Sequence, residues 1–222
     1  VIVYHGLKLE GKMNEIFAKM EDKTIVYSAA YEMENLIVLD ESHDDPHTWF
    51  DVNLHMIGME YVAAKLMKID TANGDYYKTN AKEYATELME LDAYVSTQIE
   101  TIPSQKRVLV STHDAFEYFG KRYGVETHGI QGISTATEAG IKDITTTVDL
   151  VVENEIPIIF SEHSASSNTV EAVMEGAKEK GWEVSLAPSL YTDALGNEAD
   201  GADTYIGMMK ANVDNLVQSL TK

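Results

Sequence analysis

At 222 residues with 44% hydrophobic content, the chain is long enough for one large domain or two modest lobes around a proper core. Its 37 acidic and 17 basic residues give a net charge of −20, which argues against nucleic acid or anionic lipid as partner and favours solubility or the attraction of cations. The lack of cysteine excludes disulfides and thiolate metal sites, so any bound metal must be held by nitrogen and oxygen.

In chain order, Val1–Tyr4 reads as the middle of a buried strand, so further residues are expected upstream. The turn His5-Gly6-Leu7 follows, and a helix is predicted from Glu10 to Met20 with Met13, Ile16, Phe17 and Met20 on one face. Thr24–Ser28 and Leu36–Leu39 are short strand-like runs, the second leading into an acidic stretch, Asp40–Asp45. Trp49–Met67 carries Val52, Met56, Met59, Ala63 and Leu66 at helical spacing, and Thr71-Ala72-Asn73-Gly74 stops it. From Tyr76 to Ile102 no Gly or Pro interrupts the pattern Tyr84, Leu88, Leu91, Val95, Ile99, which predicts one long helix of about seven turns ending at Pro103.

Beyond Pro103 strands and helices alternate. Strands are predicted at Arg107–Ser111, Val125–Gly129, Pro157–Ser161 and Glu183–Ala187, with helices at Ala115–Tyr123, Glu138–Asn154, Thr169–Lys180 and Thr204–Leu220. Such units imply a parallel sheet covered by helices, with ligands at the strands' carboxyl ends. No run approaches the length of a membrane-spanning helix, no charged-then-apolar leader opens the chain, and no fixed-period repeat occurs.

Three loops carry the chemistry. Asp45-Pro46-His47-Thr48-Trp49-Phe50-Asp51 places an imidazole in a turn stiffened by proline, and a neutral imidazole so held is a common divalent-metal ligand. Ser111-Thr112-His113-Asp114 and Tyr191-Thr192-Asp193-Ala194 each deliver one more candidate from a loop after a strand. His47, His113 and Asp193 are therefore read as ligands of one metal. Glu162 and His163 end a strand on the same expected face, where hydrogen bonds to ligating imidazoles are needed, and His5 lies nearby. His43, Asp44 and Asp45 read as a solvated acidic turn, and His55 and His128 as structural or surface residues.

With Asp45–Asp51, Ser111–Phe116 and Tyr191–Gly196 in view, together with Gly6–Met13, Gly129–Thr135 and Thr204–Met209, the chain resembles the metal-specific solute-binding proteins of ABC transporters. These are the zinc and manganese receptors also described as adhesion lipoproteins. The resemblance implies an α/β fold: a partial N-terminal lobe over residues 1–75, a rigid connecting helix over 76–102, and a C-terminal lobe over 103–222. It implies one ion held by four side chains, three of which are His47, His113 and Asp193, with a further histidine expected upstream of Val1, and hence weak or incomplete binding by these 222 residues alone.

The expected protein is a monomeric receptor, not an enzyme. It would sit on the periplasmic or extracellular face of the membrane, lipid-anchored or free, and pass Zn2+ or Mn2+ to an ABC permease. Nitrogen-rich ligation favours zinc modestly, and manganese-dedicated members place a glutamate where this chain has His113. Binding should weaken as pH falls through about 6.5, where free histidine gains its proton. Two alternatives stand beside this reading. One is an adhesin with a structural metal; the other is a zinc hydrolase, against which neither a His-Glu-x-x-His pair nor a Gly-x-Ser-x-Gly elbow occurs.

Overall fold

The computed structural model describes residues 1–20, 23–40, 43–135 and 139–221, which divide into two compact units, Val1–Asp92 and Ala93–Lys222. In the first, β1 (Ile2–Tyr4) pairs in parallel with β2 (Val26–Ser28), and α1 (Met13–Met20) lies between them in sequence. The helix starts later than Glu10 because Leu7, Lys8 and Gly11 adopt left-handed backbone angles of 53°, 66° and 53°. The Glu10 carboxylate instead caps the turn, accepting from the His5 amide at 2.6 Å and from the Gly6 amide at 3.3 Å. Gly6 meets a double demand: φ is 100°, and a Cβ there would lie 2.1 Å from Ser28 Oγ.

The next strands depart from the parallel pattern. β3 (Val38–Asp40) runs antiparallel to β4 (His43–Asp44), a short hairpin that delivers the chain to Asp45-Pro46-His47. Glu41 and Ser42 of the predicted acidic stretch lie outside the described residues, as does Glu138, the predicted start of a later helix. A 3-10 turn over Thr48–Phe50 precedes α2 (Val52–Ile69), so the helix opens three residues after Trp49. Asp51 sets that start, since its carboxylate accepts from the Asn53 and Leu54 amides at 2.8 and 3.4 Å. A cap of this kind is worth about 1 kcal/mol.

The long uninterrupted run forms α3 (Gly74–Glu100), 27 residues. At 1.5 Å per residue that is about 40 Å of helix. Leu88, Leu91, Val95 and Ile99 are all buried, which confirms the helical spacing read from the sequence.

The second unit is a βα array: β5 (Val108–His113), α4 (Glu117–Tyr123), β6 (Glu126–Gln131), α5 (Ile141–Glu153), β7 (Ile158–Glu162), α6 (Asn168–Glu179), β8 (Ser185–Leu190) and α7 (Tyr205–Leu220). β5–β6 and β7–β8 pair in parallel and β5 lies beside β7, which gives the spatial order β6, β5, β7, β8. Val110, Ile130, Val148, Val151, Ile159, Val170 and Val173 form its apolar core. The chain leaves β5 toward one side of the sheet and returns in β7 on the other. In parallel α/β sheets the crevice at such a reversal, outside the strands' carboxyl ends, is where ligands bind.

Candidate metal centre

His113 is the last residue of β5 and Glu162 the last of β7, so the reversal of strand order sets them side by side. Glu162 Oε1 accepts from the His113 main-chain amide at 2.9 Å, and Oε2 is hydrogen bonded to His113 Nδ1. Thr192 Oγ1 donates to the same Oε2 at 3.2 Å. This leaves Nε2 as the ring nitrogen that faces Asp193, whose Oδ1 lies 3.6 Å away. Two ligands of a tetrahedral zinc, each about 2.1 Å from the ion, stand about 3.4 Å apart. The Nε2–Oδ1 gap therefore has the width that a shared ion requires.

Burial disfavours the charged form of the His113 imidazole, but the Asp193 and Glu162 carboxylates outweigh it and raise the pKa from 6.5 to about 9. Without metal, this nitrogen carries a proton at neutral pH. The window over which protons compete with metal thus moves above the 6.5 of a free histidine.

In the first unit His47 is buried, and Asp45 holds it twice. Asp45 Oδ1 lies 2.9 Å from the His47 amide and 2.7 Å from Nδ1. The carboxylate fixes Nδ1 as a donor and leaves Nε2 for a ligand, the arrangement that imparts basicity to metal-bound imidazoles. Asp45 is 0% exposed, so it is no solvated acidic residue, contrary to the sequence reading. Burial is affordable because Pro46 turns the chain so that the Asp45 side chain reaches the His47 amide two residues on. The Trp49 ring stands edge-on to both His47, at 5.2 Å, and His5, at 5.3 Å.

His5 and His163 have other surroundings. His5 Nε2 lies 3.3 Å from Thr48 Oγ1, and burial holds its pKa below the ordinary value. His163 is exposed and stacks on Tyr191 at 4.4 Å and 14°, away from His113. The peptide after β7 turns this side chain outward, so Glu162 alone of that pair meets the imidazole.

Gly129 underlies His113 although no side-chain chemistry marks it. It pairs with Ser111 in β6, and a Cβ there would lie 2.4 Å from the Asp114 amide nitrogen, directly under the peptide that follows His113. Gly129→Ala is expected to cost roughly 1–3 kcal/mol of stability by overpacking and to weaken metal binding by displacing His113. Urea unfolding together with a zinc titration checks both effects.

The family model described as "ZnuA: Zinc-uptake complex component A periplasmic" matches residues 1–219. The chain belongs to this family. Among its relatives is the manganese-binding lipoprotein MntA of Bacillus subtilis (strain 168), 38% identical over 223 residues that cover 99% of this chain and 73% of MntA. Another is the manganese ABC transporter substrate-binding lipoprotein PsaA of Streptococcus anginosus, 29% identical over 233 residues, 100% of this chain and 73% of PsaA. Among solved structures, the periplasmic zinc binding protein TroA of Treponema pallidum superposes with a TM-score of 0.95 at 34% identity, covering 100% of this chain and 80% of TroA. The ZnuA-family fold, with short parallel sheets and a long helix, is thus the fold expected from the sequence resemblance.

Proposed function

We propose that this chain is an extracytoplasmic receptor that captures one divalent transition-metal ion with His47, His113 and Asp193 and delivers it to an ABC permease. The ion is cargo, taken up from solution and handed on. The observation that carries the reading is the 3.6 Å spacing of His113 Nε2 and Asp193 Oδ1, with Glu162 fixing the opposite edge of the ring. Membership in a family whose members bear zinc- and manganese-binding names supports it.

Each imidazole is backed by a carboxylate: Asp45 behind His47, Glu162 behind His113. This backing holds the nitrogens toward the ion and raises their basicity. Asp193 supplies anionic charge to offset the cation. No ligand is sulfur, so the centre takes zinc or manganese and shuns soft monovalent metals.

Zinc is the tighter ligand in this proposal, because nitrogen donors follow the divalent ordering that places zinc above manganese. We assign the N-terminal lobe to residues 1–75, the connecting helix to 76–102 and the C-terminal lobe to 103–222, acting as a monomer on the outer face of the membrane. Competition titrations with a chromogenic chelator are expected to give one zinc per chain, bound more tightly than manganese. Tighter manganese binding, or the lack of any saturable site, would contradict the assignment.

A further inference from the structure

The Asp193 side chain is 30% exposed, and its Oδ1 faces His113 Nε2 at 3.6 Å. The two residues before it are both hydrogen bonded to buried side chains. β8 ends at Leu190, and the Tyr191 amide and carbonyl leave the sheet while still buried. Such groups are costly to bury unless they find partners.

Asn212, from the buried face of α7 and itself 2% exposed, supplies both partners. Its Oδ1 accepts from the Tyr191 amide at 2.9 Å, and its Nδ2 donates to the Tyr191 carbonyl at 2.7 Å. The second hydrogen of Nδ2 points to Met208 Sδ at 3.5 Å, so the amide group is fully used. The side chain thus continues the ladder for one residue past the strand's end, in place of a neighbouring strand. Thr192 is then tied from the other side through its hydroxyl to Glu162.

We infer that Asn212 is a positioning residue for metal capture: by clamping both polar groups of the Tyr191 peptide backbone it fixes where Asp193 presents its carboxylate. The inference rests on the proposed metal site. It acts through the main chain, since Asn212 reaches Tyr191 and touches neither His113 nor Asp193 directly. Leucine at this position would leave two buried main-chain groups without partners. Aspartate would keep the acceptor and set an oxygen against the Tyr191 carbonyl in place of the donor, so Asn212→Asp breaks one arm of the clamp and leaves the other.

The test uses the full chain and zinc, with a double-mutant cycle between Asn212→Asp and Asp193→Asn. Asn212→Asp is expected to weaken zinc binding about 10- to 100-fold, the range for residues that orient a ligand. In the Asp193→Asn background it should weaken it no further, because the group it positions no longer ligates. The visible spectrum of bound Co2+ should change in Asn212→Asp. Val213→Ala, in the next helix position and also buried, is the control: it should lower the melting temperature and leave both zinc affinity and the Co2+ spectrum alone.

Should Asn212→Asp fail to fold, Asn212→Ser goes through the same cycle. Equal zinc affinity in folded Asn212 variants and the unaltered chain would overturn the inference while sparing the metal site, as would effects that simply add to those of Asp193→Asn. A chain that binds no zinc before any substitution would overturn both.

Discussion

Replacing His113 with alanine is expected to abolish saturable zinc capture, a loss exceeding the about 100-fold that marks removal of an outer hydrogen-bond partner. The substitution removes a ligand nitrogen and also strips Glu162 of its hydrogen bond to Nδ1. The His113 main-chain amide and the Thr192 hydroxyl still reach that carboxylate, so folding survives in part. Stability should nonetheless fall, since a buried carboxylate loses the cation that compensates it. His128 provides the comparison: half-exposed and paired with Glu126 at 2.8 Å, it should become alanine with no change in zinc affinity. Calorimetric titration of the two variants separates ligand loss from loss of any histidine.

Zinc affinity is expected to climb about tenfold per pH unit from pH 7 toward 9 and then to level off, because one proton must leave His113 as the ion arrives. The sign follows from the direction of the shift. Burial alone would lower this pKa, but Asp193 and Glu162 bring it to about 9, so the proton is bound throughout the neutral range. An imidazole at the unperturbed 6.5 would give a flat profile above about pH 7. Glu162→Gln removes one of the two carboxylates that raise the pKa, and should bring the break in the profile down toward neutrality.

The same linkage is expected in the stability of the metal-free chain. A folded-state pKa raised above the unfolded value stabilises the fold fully below about 6.5, and the gain is lost as pH rises through about 9. The melting temperature of metal-free protein should therefore fall between pH 7 and 9 by an amount that His113→Gln diminishes. Chelator competition with Glu162→Gln checks the affinity profile, and thermal unfolding of metal-free protein with His113→Gln checks the stability profile.

The sequence disclosed the long elements and hid the contacts that tune the site. An unbroken run of helical spacing gave α3 within two residues at each end, since nothing in it competes with helix. β5 was predicted to stop at Ser111, yet it runs on to His113, whose register with Gln131 outweighs the polarity of Thr112 and His113. β8 begins and ends later than the pattern placed it, with Pro188 accommodated in a strand that pairs only with β7 among the described residues.

His47, His113 and Asp193 stood out because each closely follows a strand-like run in the sequence. Asp45 was also within reach of the sequence, as a carboxylate two residues before an imidazole across a proline. Gly129, Thr192 and Asn212 were not. Thr192 meets Glu162 across 30 positions and Asn212 meets Tyr191 across 21, separations closed by the pairing of β7 with β8 and by the packing of α7 on β8. Gly129 matters for a side chain it lacks, which no residue pattern reports.

Anomalous scattering at the zinc and manganese edges, measured on metal-soaked crystals with elemental analysis of the same protein, names the ion and its ligands together. One peak is expected, strongest at the zinc edge, within about 2.0–2.2 Å of nitrogens of His47 and His113 and an oxygen of Asp193. A peak elsewhere in these 222 residues, or one that leaves any of these three side chains uncoordinated, would contradict the shared site.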